Sequence, residues 1–432
     1  MLLIVAGHDP TGAGLRADIA TAEALGVPAV SLPTLLSLQD EGVELVEPVD
    51  SRFLSDCLAR YVPRCEVVKV GAVPTLKTFE ILAKRLRDLT VVWDPVFRAE
   101  AGGELSEATP EEALETFGET VDILTPNTEE LSQLVGREVR TTVEAELAAR
   151  ELVEEYGLTG VLVTGGHSVD RRDVWVPAEG NTIAWEVPPG EGAHGSGCVL
   201  STALACFLVR GLDPETAVER AVRFARAAVR EARNTPFGRV ADPVAQIRRD
   251  ATLGKATQHV IRALEIIESD PAFARAIPQV GMNVAEVFDP SRGLEGVVGL
   301  SGRIVLDGDR PTAVGRPVPG GSKHVGTVAL TAHRLDPSVR AAVNARYDEE
   351  LIERARDLGF VVSSFDRSEE PEEVDSTMEW GTEVAFRRAD DTPDVVYDEG
   401  DVGKEPMIRV LGKSAVEAVT KLRMLLGCVV GV

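Results

Sequence analysis

The sequence predicts two α/β domains: a first one with a largely parallel sheet and helices on both faces, then a second, smaller α/β domain of different pattern. Three observations predict this. Over roughly the first 240 residues, strand-length apolar runs alternate with amphipathic helical stretches, which is the pattern of βαβ units. Polar or glycine-rich clusters follow those runs, at the strand ends where open parallel sheets bind ligands. A length of 432 residues exceeds one ordinary core, and from about Lys255 the alternation resumes with no repeat relation to the first part.

The strands expected in the first domain are Leu2 to Ala6, Val67 to Val70, Val91 to Trp93, Val121 to Leu124 and Val161 to Thr164. Between and around them lie helical patterns at Gly14 to Leu25, Phe53 to Tyr61, Thr75 to Leu86, Thr128 to Val135, Thr142 to Glu155 and Pro214 to Asn234. GHDPTGAG follows the first strand, DPVF the third, TPNTEE the fourth and TGGH the fifth. NTPFGRVADP reads as the end of this domain, and Pro243 to Ile267 as a largely helical connector. The expected boundaries are therefore 1–245, a connector at 246–254, and 255–432. In the second domain the pattern gives a strand in VVGLSGRIVLDG, the cluster GGSKHVGTVALTAH, helices at Pro337 to Ala345 and Glu349 to Leu358, strands in FVVSSFD and DVVYDEG, and a closing helix from Ser414 to Leu426.

Composition narrows the function classes. A net charge of −25 argues against nucleic acid, whose phosphates need a basic footprint. No apolar run approaches the roughly 20 residues of a membrane span, and MLLIVAG lacks the basic start and cleavage site of a signal peptide, so a cytoplasmic protein is expected. The five cysteines, Cys57, Cys65, Cys198, Cys206 and Cys428, form no Cys-x-x-Cys pair, so neither a disulfide framework nor a zinc site is indicated.

HGSGCVLSTALACFLVRG, His194 to Gly211, places two glycines and a cysteine at the mouth of an apolar helix. Gly195 and Gly197 let the backbone bend so that N–H groups, including those of Ser196 and Cys198, point into one space, a cradle for a phosphoryl group. Taken alone, Gly-x-Gly-Cys reads equally well as a small-residue turn before a core helix.

The clusters in this order, finished by HGSGC, resemble the ribokinase-like superfamily and within it the hydroxymethylpyrimidine and phosphohydroxymethylpyrimidine kinases, over about residues 1 to 245. AGHDPTGAGLRADIATAEALG is similar to that family's opening. The resemblance implies ATP-dependent, magnesium-dependent phosphorylation of the pyrimidine's hydroxymethyl group and then of the resulting monophosphate. It implies that Cys198, where related sugar kinases carry an aspartate, accepts the alcohol proton; the other reading of Cys198 is a small helix-start residue. It implies magnesium near Asn127 and Glu130, whose Asn-x-x-Glu spacing by itself more often marks a helix cap. Asp94 resembles a position near the phosphates, and Gln39 and Asp18 match pyrimidine contacts, with Gly7 giving close approach to the first strand's end. Thr164 stands where a nucleotide-contacting lysine is common, and a hydroxyl does not replace that charge. The first loop has Gly12 before Ala13 where the family has paired glycines, and Ser37 and Ala72 replace larger apolar side chains.

Residues 255 to 432 resemble the ThiN-type thiamine-phosphate synthases, through GMNVAEV, GRIV, SKHVGTVALTA, DPSVRAAVNARY, FDRSEEPEEVDSTMEWGTE and PDVVYDEGDVGKEPMIRVLG. The resemblance implies coupling of the diphosphorylated pyrimidine with thiazole phosphate, releasing pyrophosphate. Arg303 and His324 match its functional positions, and Lys323, Arg340, Arg346, Lys404 and Arg409 are secondary phosphate-binding candidates. Glu379 and Glu383 orient that site, bind metal or pair these cations. The partners expected are small molecules and, in a possible homo-oligomer, a second copy. Two alternatives remain: a silent or altered kinase half, suggested by Thr164 and the short loop, and a C-terminal thiamine-phosphate sensor, which would call for a helix-turn-helix partner domain and a basic surface.

Overall fold

A computed structural model describes residues 1–39, 42–100, 102–166, 169–188, 192–371 and 376–427. Cys428 and His167 of the TGGH cluster lie outside them. The chain divides between Gln246 and Ile247 into two compact units, and among the described residues no helix is long and apolar enough to cross a membrane.

In the first unit, β1 (Leu2–His8), β2 (Ala29–Gln39), β3 (Val43–Pro48), β4 (Val67–Val70), β5 (Thr90–Trp93), β6 (Ile123–Leu124), β7 (Gly160–Val163), β8 (Arg172–Pro177) and β9 (Ile183–Glu186) form one sheet, ordered β3-β2-β1-β4-β5-β6-β7-β8-β9. From β2 to β7 the pairing is parallel, while β3, β8 and β9 add antiparallel edges. The helices are α1 (Gly14–Ala24), α2 (Ser51–Tyr61), α3 (Leu76–Arg85), α4 (Pro110–Phe117), α5 (Thr128–Leu134), α6 (Thr142–Tyr156), α7 (Ser196–Val209) and α8 (Pro214–Arg230). β1 shows why its sequence is apolar at every position: Leu3 and Val5 enter the core shared with α2 to α6, and Leu2, Ile4 and Ala6 the core shared with α1, α7 and α8. The helix expected over Pro214 to Asn234 ends at Arg230, and a hairpin of β10 (Arg233–Thr235) and β11 (Gly238–Val240) follows.

The segment expected as a connector is the first part of a continuous helix, α9 (Ala245–Ser269). Leu253 packs on the second unit's core, and Arg249 bonds Asp289 at 3.0 Å. That unit contains β12 (Val284–Val287), β13 (Val297–Leu300), β14 (Arg303–Asp307), β15 (Arg310–Val314), β16 (Pro317–Pro319), β17 (Ala341–Arg346), β18 (Val362–Ser364), β19 (Val395–Asp398) and β20 (Met407–Gly412). Its main sheet runs β16-β13-β12-β17-β20-β19-β18, antiparallel except for β18 with β19, and β14 and β15 form a separate hairpin. The helices are α10 (Lys323–Leu335), α11 (Glu349–Asp357), α12 (Thr377–Arg388) and α13 (Ala415–Leu425).

One expected element is overturned. Pro337 to Ala345 is not a helix, because Ala341 to Arg346 form β17 inside the sheet. Alanine favours helix in isolation, but here Ala341, Val343 and Ala345 face the core with α9, α11 and α13, while Ala342 faces the core with α10 and α12. Small side chains suit a strand covered on both faces, and packing overrides propensity. The expected strand VVGLSGRIVLDG is likewise broken at Ser301–Gly302 into β13 and β14, which puts Arg303 at the base of the hairpin.

Candidate active sites

A cavity of about 1630 Å³ opens at the carboxyl ends of β1, β4, β5, β6 and β7 in the first unit. It exceeds the roughly 300–1000 Å³ of ordinary ligand pockets, which leaves room for more than one small substrate. Gly7, Gln39, Asp94, Asn127, Glu130, Thr164, Gly195, Ser196, Gly197 and Cys198 all line it. The motifs that are far apart in sequence therefore converge on one space.

Gly195 caps α7 with φ 80°, a left-handed conformation, and a side chain there would meet the Ala13 Cα at 3.1 Å and the Gly12 carbonyl at 3.2 Å. Glycine is required at this crossing of the first loop and the helix start. Gly197 differs, since its missing side chain leaves open space with only an Asp94 oxygen at 3.9 Å. One expectation is corrected: the Ser196 N–H donates to the Ala193 carbonyl at 3.1 Å, so it does not serve the cradle. The amides of Gly197 and Cys198 remain at the open end of the helix, where the first turn has no intrahelical acceptor.

Asp18 is also corrected. It is 0% exposed and does not line the cavity. Its carboxylate accepts from the Lys69 ammonium at 3.0 and 3.1 Å and from Thr202 Oγ1 at 2.7 Å, under the cavity floor. Lys69, which sequence reading passed over as one residue of a strand, lies 3.5 Å from Asp94. Burial alone would neutralise it, but the Asp18 and Asp94 carboxylates outweigh burial and hold it firmly protonated. Burial pushes the Cys198 thiol well above the ordinary thiol range, reinforced by Asp18 and Asp94 and opposed by Lys69 and the Gly14 amide.

Asn127 and Glu130 form a capping box: Asn127 Oδ1 accepts from the Glu129 and Glu130 amides at 2.9 and 2.8 Å, and the Glu130 carboxylate accepts from the Asn127 amide at 2.8 Å. Both also line the cavity. Burial, then the nearby Asp94 carboxylate, pushes Glu130 up to about 8. Among the described residues no group of three or more His, Cys, Asp or Glu side chains could hold a metal, so Glu130 with Asp94 offers at most the one or two carboxylates that magnesium takes together with phosphates and water. Gln39 donates to Ser37 Oγ at 2.6 Å, and Ser37 donates to the His8 carbonyl at 3.0 Å, so the amide is held by its own strand. Gly7 adjoins Leu35, which stands 3.1 Å from where a side chain would begin. His194 ties the first loop to the helix start, with Nε2 2.6 Å from Asp9 and Nδ1 2.9 Å from Glu100. These bonds raise the imidazole to about 9; on the other side, His194 and Thr11 draw the Asp9 carboxyl down to about 2 against its burial.

The second unit has its own cavity, about 540 Å³, lined by Arg303, Lys323, His324, Lys404 and Arg409. Arg340 and Arg346 do not line it: Arg340 donates to the Val287 carbonyl at 2.8 Å, and Arg346 stands exposed at the end of β17. Glu379 pairs with Arg334 at 2.9 Å and Glu383 with Arg387 at 3.8 Å, cations outside the cavity and not the candidates they were expected to pair. Sequence reading missed Arg367, Asn283, Asn344 and Asp398. Buried Asp398 fixes Arg367 at 2.6 Å and Arg409 at 2.7 Å. Asn283 bonds the Leu300 and Gly302 carbonyls, each at 3.0 Å, and its own amide donates to Asn344 at 2.6 Å, which holds the turn that carries Arg303.

Lys323 and His324 occupy the first turn of α10. The Lys323 cation there opposes the helix dipole, and an anion in the cavity would relieve it. Burial, then Arg303, Lys323, Arg367 and Arg409, lowers His324 below the usual imidazole value. His324 is therefore a neutral imidazole among fixed cations.

Fold and sites define a ribokinase-like unit followed by a second α/β unit whose cavity is lined by basic side chains. Residues 9–245 match the phosphomethylpyrimidine kinase family and residues 259–424 the thiamine-phosphate synthase ThiN family. The bifunctional thiamine biosynthesis protein ThiDN of Methanocaldococcus jannaschii is 33% identical over 98% of each chain. The thiamine-phosphate synthase ThiN of Methanothermobacter thermautotrophicus is 40% identical over 37% of this chain and 86% of its own. Among solved structures, a pyridoxal kinase of Bacillus subtilis in an ADP complex is 27% identical with a TM-score of 0.51, covering 57% of this chain and 98% of that one. The chain belongs to the bifunctional thiamine biosynthesis family in which a hydroxymethylpyrimidine and phosphomethylpyrimidine kinase is joined to a ThiN-type thiamine-phosphate synthase.

Proposed function

We propose that the first cavity phosphorylates 4-amino-5-hydroxymethyl-2-methylpyrimidine twice at the expense of ATP, and that the second joins the diphosphate to thiazole phosphate. The observation that carries this reading is the convergence of Gly197, Cys198, Asp94, Asn127 and Glu130 in one cavity of the kinase unit. The amides at the start of α7 face the transferring phosphoryl group, and preorganised donors of this kind stabilise charge as it develops. Asn127 and Glu130 would hold magnesium beside the phosphates, where the ion offsets charge on the transferring oxygens.

In the first phosphorylation the alcohol oxygen bonds to the γ-phosphorus, ADP leaves, and the alcohol proton passes to Cys198 in its thiolate form. In the second the nucleophile is an ionised phosphate and needs no base. Because burial keeps the thiol neutral, its base form is scarce at neutral pH. The alcohol step is therefore expected to accelerate as pH rises above 7, and the monophosphate step is not. Cys198→Ala should slow the alcohol step by about two orders of magnitude, within the usual range for general-base catalysis, and leave the monophosphate step within a fewfold. Assays started from each pyrimidine separately test this. Equal slowing of both steps would restrict Cys198 to a positional role.

In the second cavity the methylene–oxygen bond of the diphosphate breaks, pyrophosphate leaves, and the thiazole nitrogen bonds the pyrimidine methylene. Arg303, Arg367 and Arg409 offer fixed cations to the phosphates, and the neutral His324 imidazole offers an N–H to the leaving group.

A further inference from the structure

Although the chain carries a net charge of −25, one wall of the first cavity is rich in arginine. Arg223, Arg226 and Arg230 line it from one face of α8, at helical spacing i, i+3 and i+7. Arg226 differs from its neighbours in being anchored. Its Nη2 donates to the Asp173 carboxylate at 2.8 Å, and Asp173, 8% exposed, accepts the Gly165 amide at 3.1 Å. Gly165 follows Thr164 directly, and Thr164 lines the same cavity. The guanidinium thus stands two hydrogen bonds from the residue after Thr164.

Arginine–carboxylate pairs frequently use the guanidinium fork in two parallel bonds. Here the buried Arg226 Nε has no partner, a single Nη2 contact holds the acid, and the same Nη2 reaches the Trp185 carbonyl at 3.5 Å. Arg223, by contrast, is exposed and paired with Glu219 at 2.7 Å. Arg226 lines the cavity, and its Nη1 makes neither of these contacts. Arginine suits a phosphate chain because it stays charged and presents several donors in one plane.

We propose that Arg226, held by Asp173, supplies the fixed cation for the phosphate chain of the donor nucleotide beside the uncharged Thr164. This rests on the kinase reading above, so wild-type phosphorylation of the pyrimidine is measured first; its absence would overturn that reading rather than this one.

With wild-type activity in hand, the test uses the full chain, the KM for ATP, the Kd for ADP and the KM for the pyrimidine. Arg226→Ala is compared with the double variant Asp173→Asn, Arg226→Ala, which leaves no unpaired buried acid if the single change harms folding. Both should raise the KM for ATP and the Kd for ADP by about one to two orders of magnitude, with the KM for the pyrimidine within about twofold. Adding Thr164→Lys to the double variant should recover about tenfold of the loss. Arg220→Ala, on the same helix but outside the cavity lining, should change nothing. A KM for ATP within about twofold of wild type in the folded Arg226 variants would overturn the proposal. So would an equal loss for both substrates, or no recovery from the added lysine.

Discussion

Arg303→Ala in a fragment starting at Pro243 is expected to lower thiamine phosphate formation by about one to two orders of magnitude, while the fragment folds as before. The fragment keeps all of α9 and the second unit, whose core is its own. It should convert diphosphorylated pyrimidine and thiazole phosphate but not the unphosphorylated pyrimidine. Arg303 is exposed on the rim of the cavity, so its removal costs little folding energy. What is lost is a charge-assisted contact worth about 1.5–3 kcal/mol. His324→Ala should depress kcat more than KM, because the imidazole acts on the departing pyrophosphate rather than on binding. Steady-state comparison of the two variants checks both, and unchanged kinetics in both would place the synthase chemistry elsewhere.

Gly197→Val is expected to stop both phosphorylations together, in contrast to Cys198→Ala, which separates them. The position has open space on its cavity side, so the new side chain would fold without a clash and occupy the cradle beside Asp94. Its β-branch cannot be turned aside within a helix. Thiamine phosphate formation from the supplied diphosphate should be unaffected, because the synthase cavity belongs to the other unit. Retained phosphorylation in the folded variant, measured with either pyrimidine, would remove the cradle from the mechanism.

Most parallel strands were legible because burial on both faces makes them short, continuous apolar runs, as at Leu2–His8 and Val67–Val70, but β2 was missed, since its burial is mixed and Pro33 interrupts it. The antiparallel edge strands β3 and β9 were not legible, since every residue in them is exposed or half-buried and their signals are weak, and β8 was passed over although its DVWVP is a buried run. β17 was misread because its alanines suit a helix until two helical layers are packed on it. α4 was passed over although Thr109, Pro110 and Glu112 give a capping box with proline in the first turn. For the sites, motif residues beside glycine turns were legible, while residues that act through partners far along the chain were not. Lys69 reads as one charge in VVKV until Asp18 and Asp94 are brought to it. Asp398 likewise gains meaning only with Arg367 and Arg409 around it. Asp18 shows the converse: its motif pointed to the right region, but its side chain turns into the floor.

The central claim is that one chain makes the diphosphate and then consumes it. Purified full-length protein is supplied with hydroxymethylpyrimidine, ATP, magnesium and thiazole phosphate, and the products are resolved over time. The expected result is thiamine phosphate, preceded by the pyrimidine mono- and diphosphates and accompanied by ADP and pyrophosphate. Diphosphate that accumulates without thiamine phosphate, or pyrimidine that stays unphosphorylated while supplied diphosphate is coupled, would contradict it.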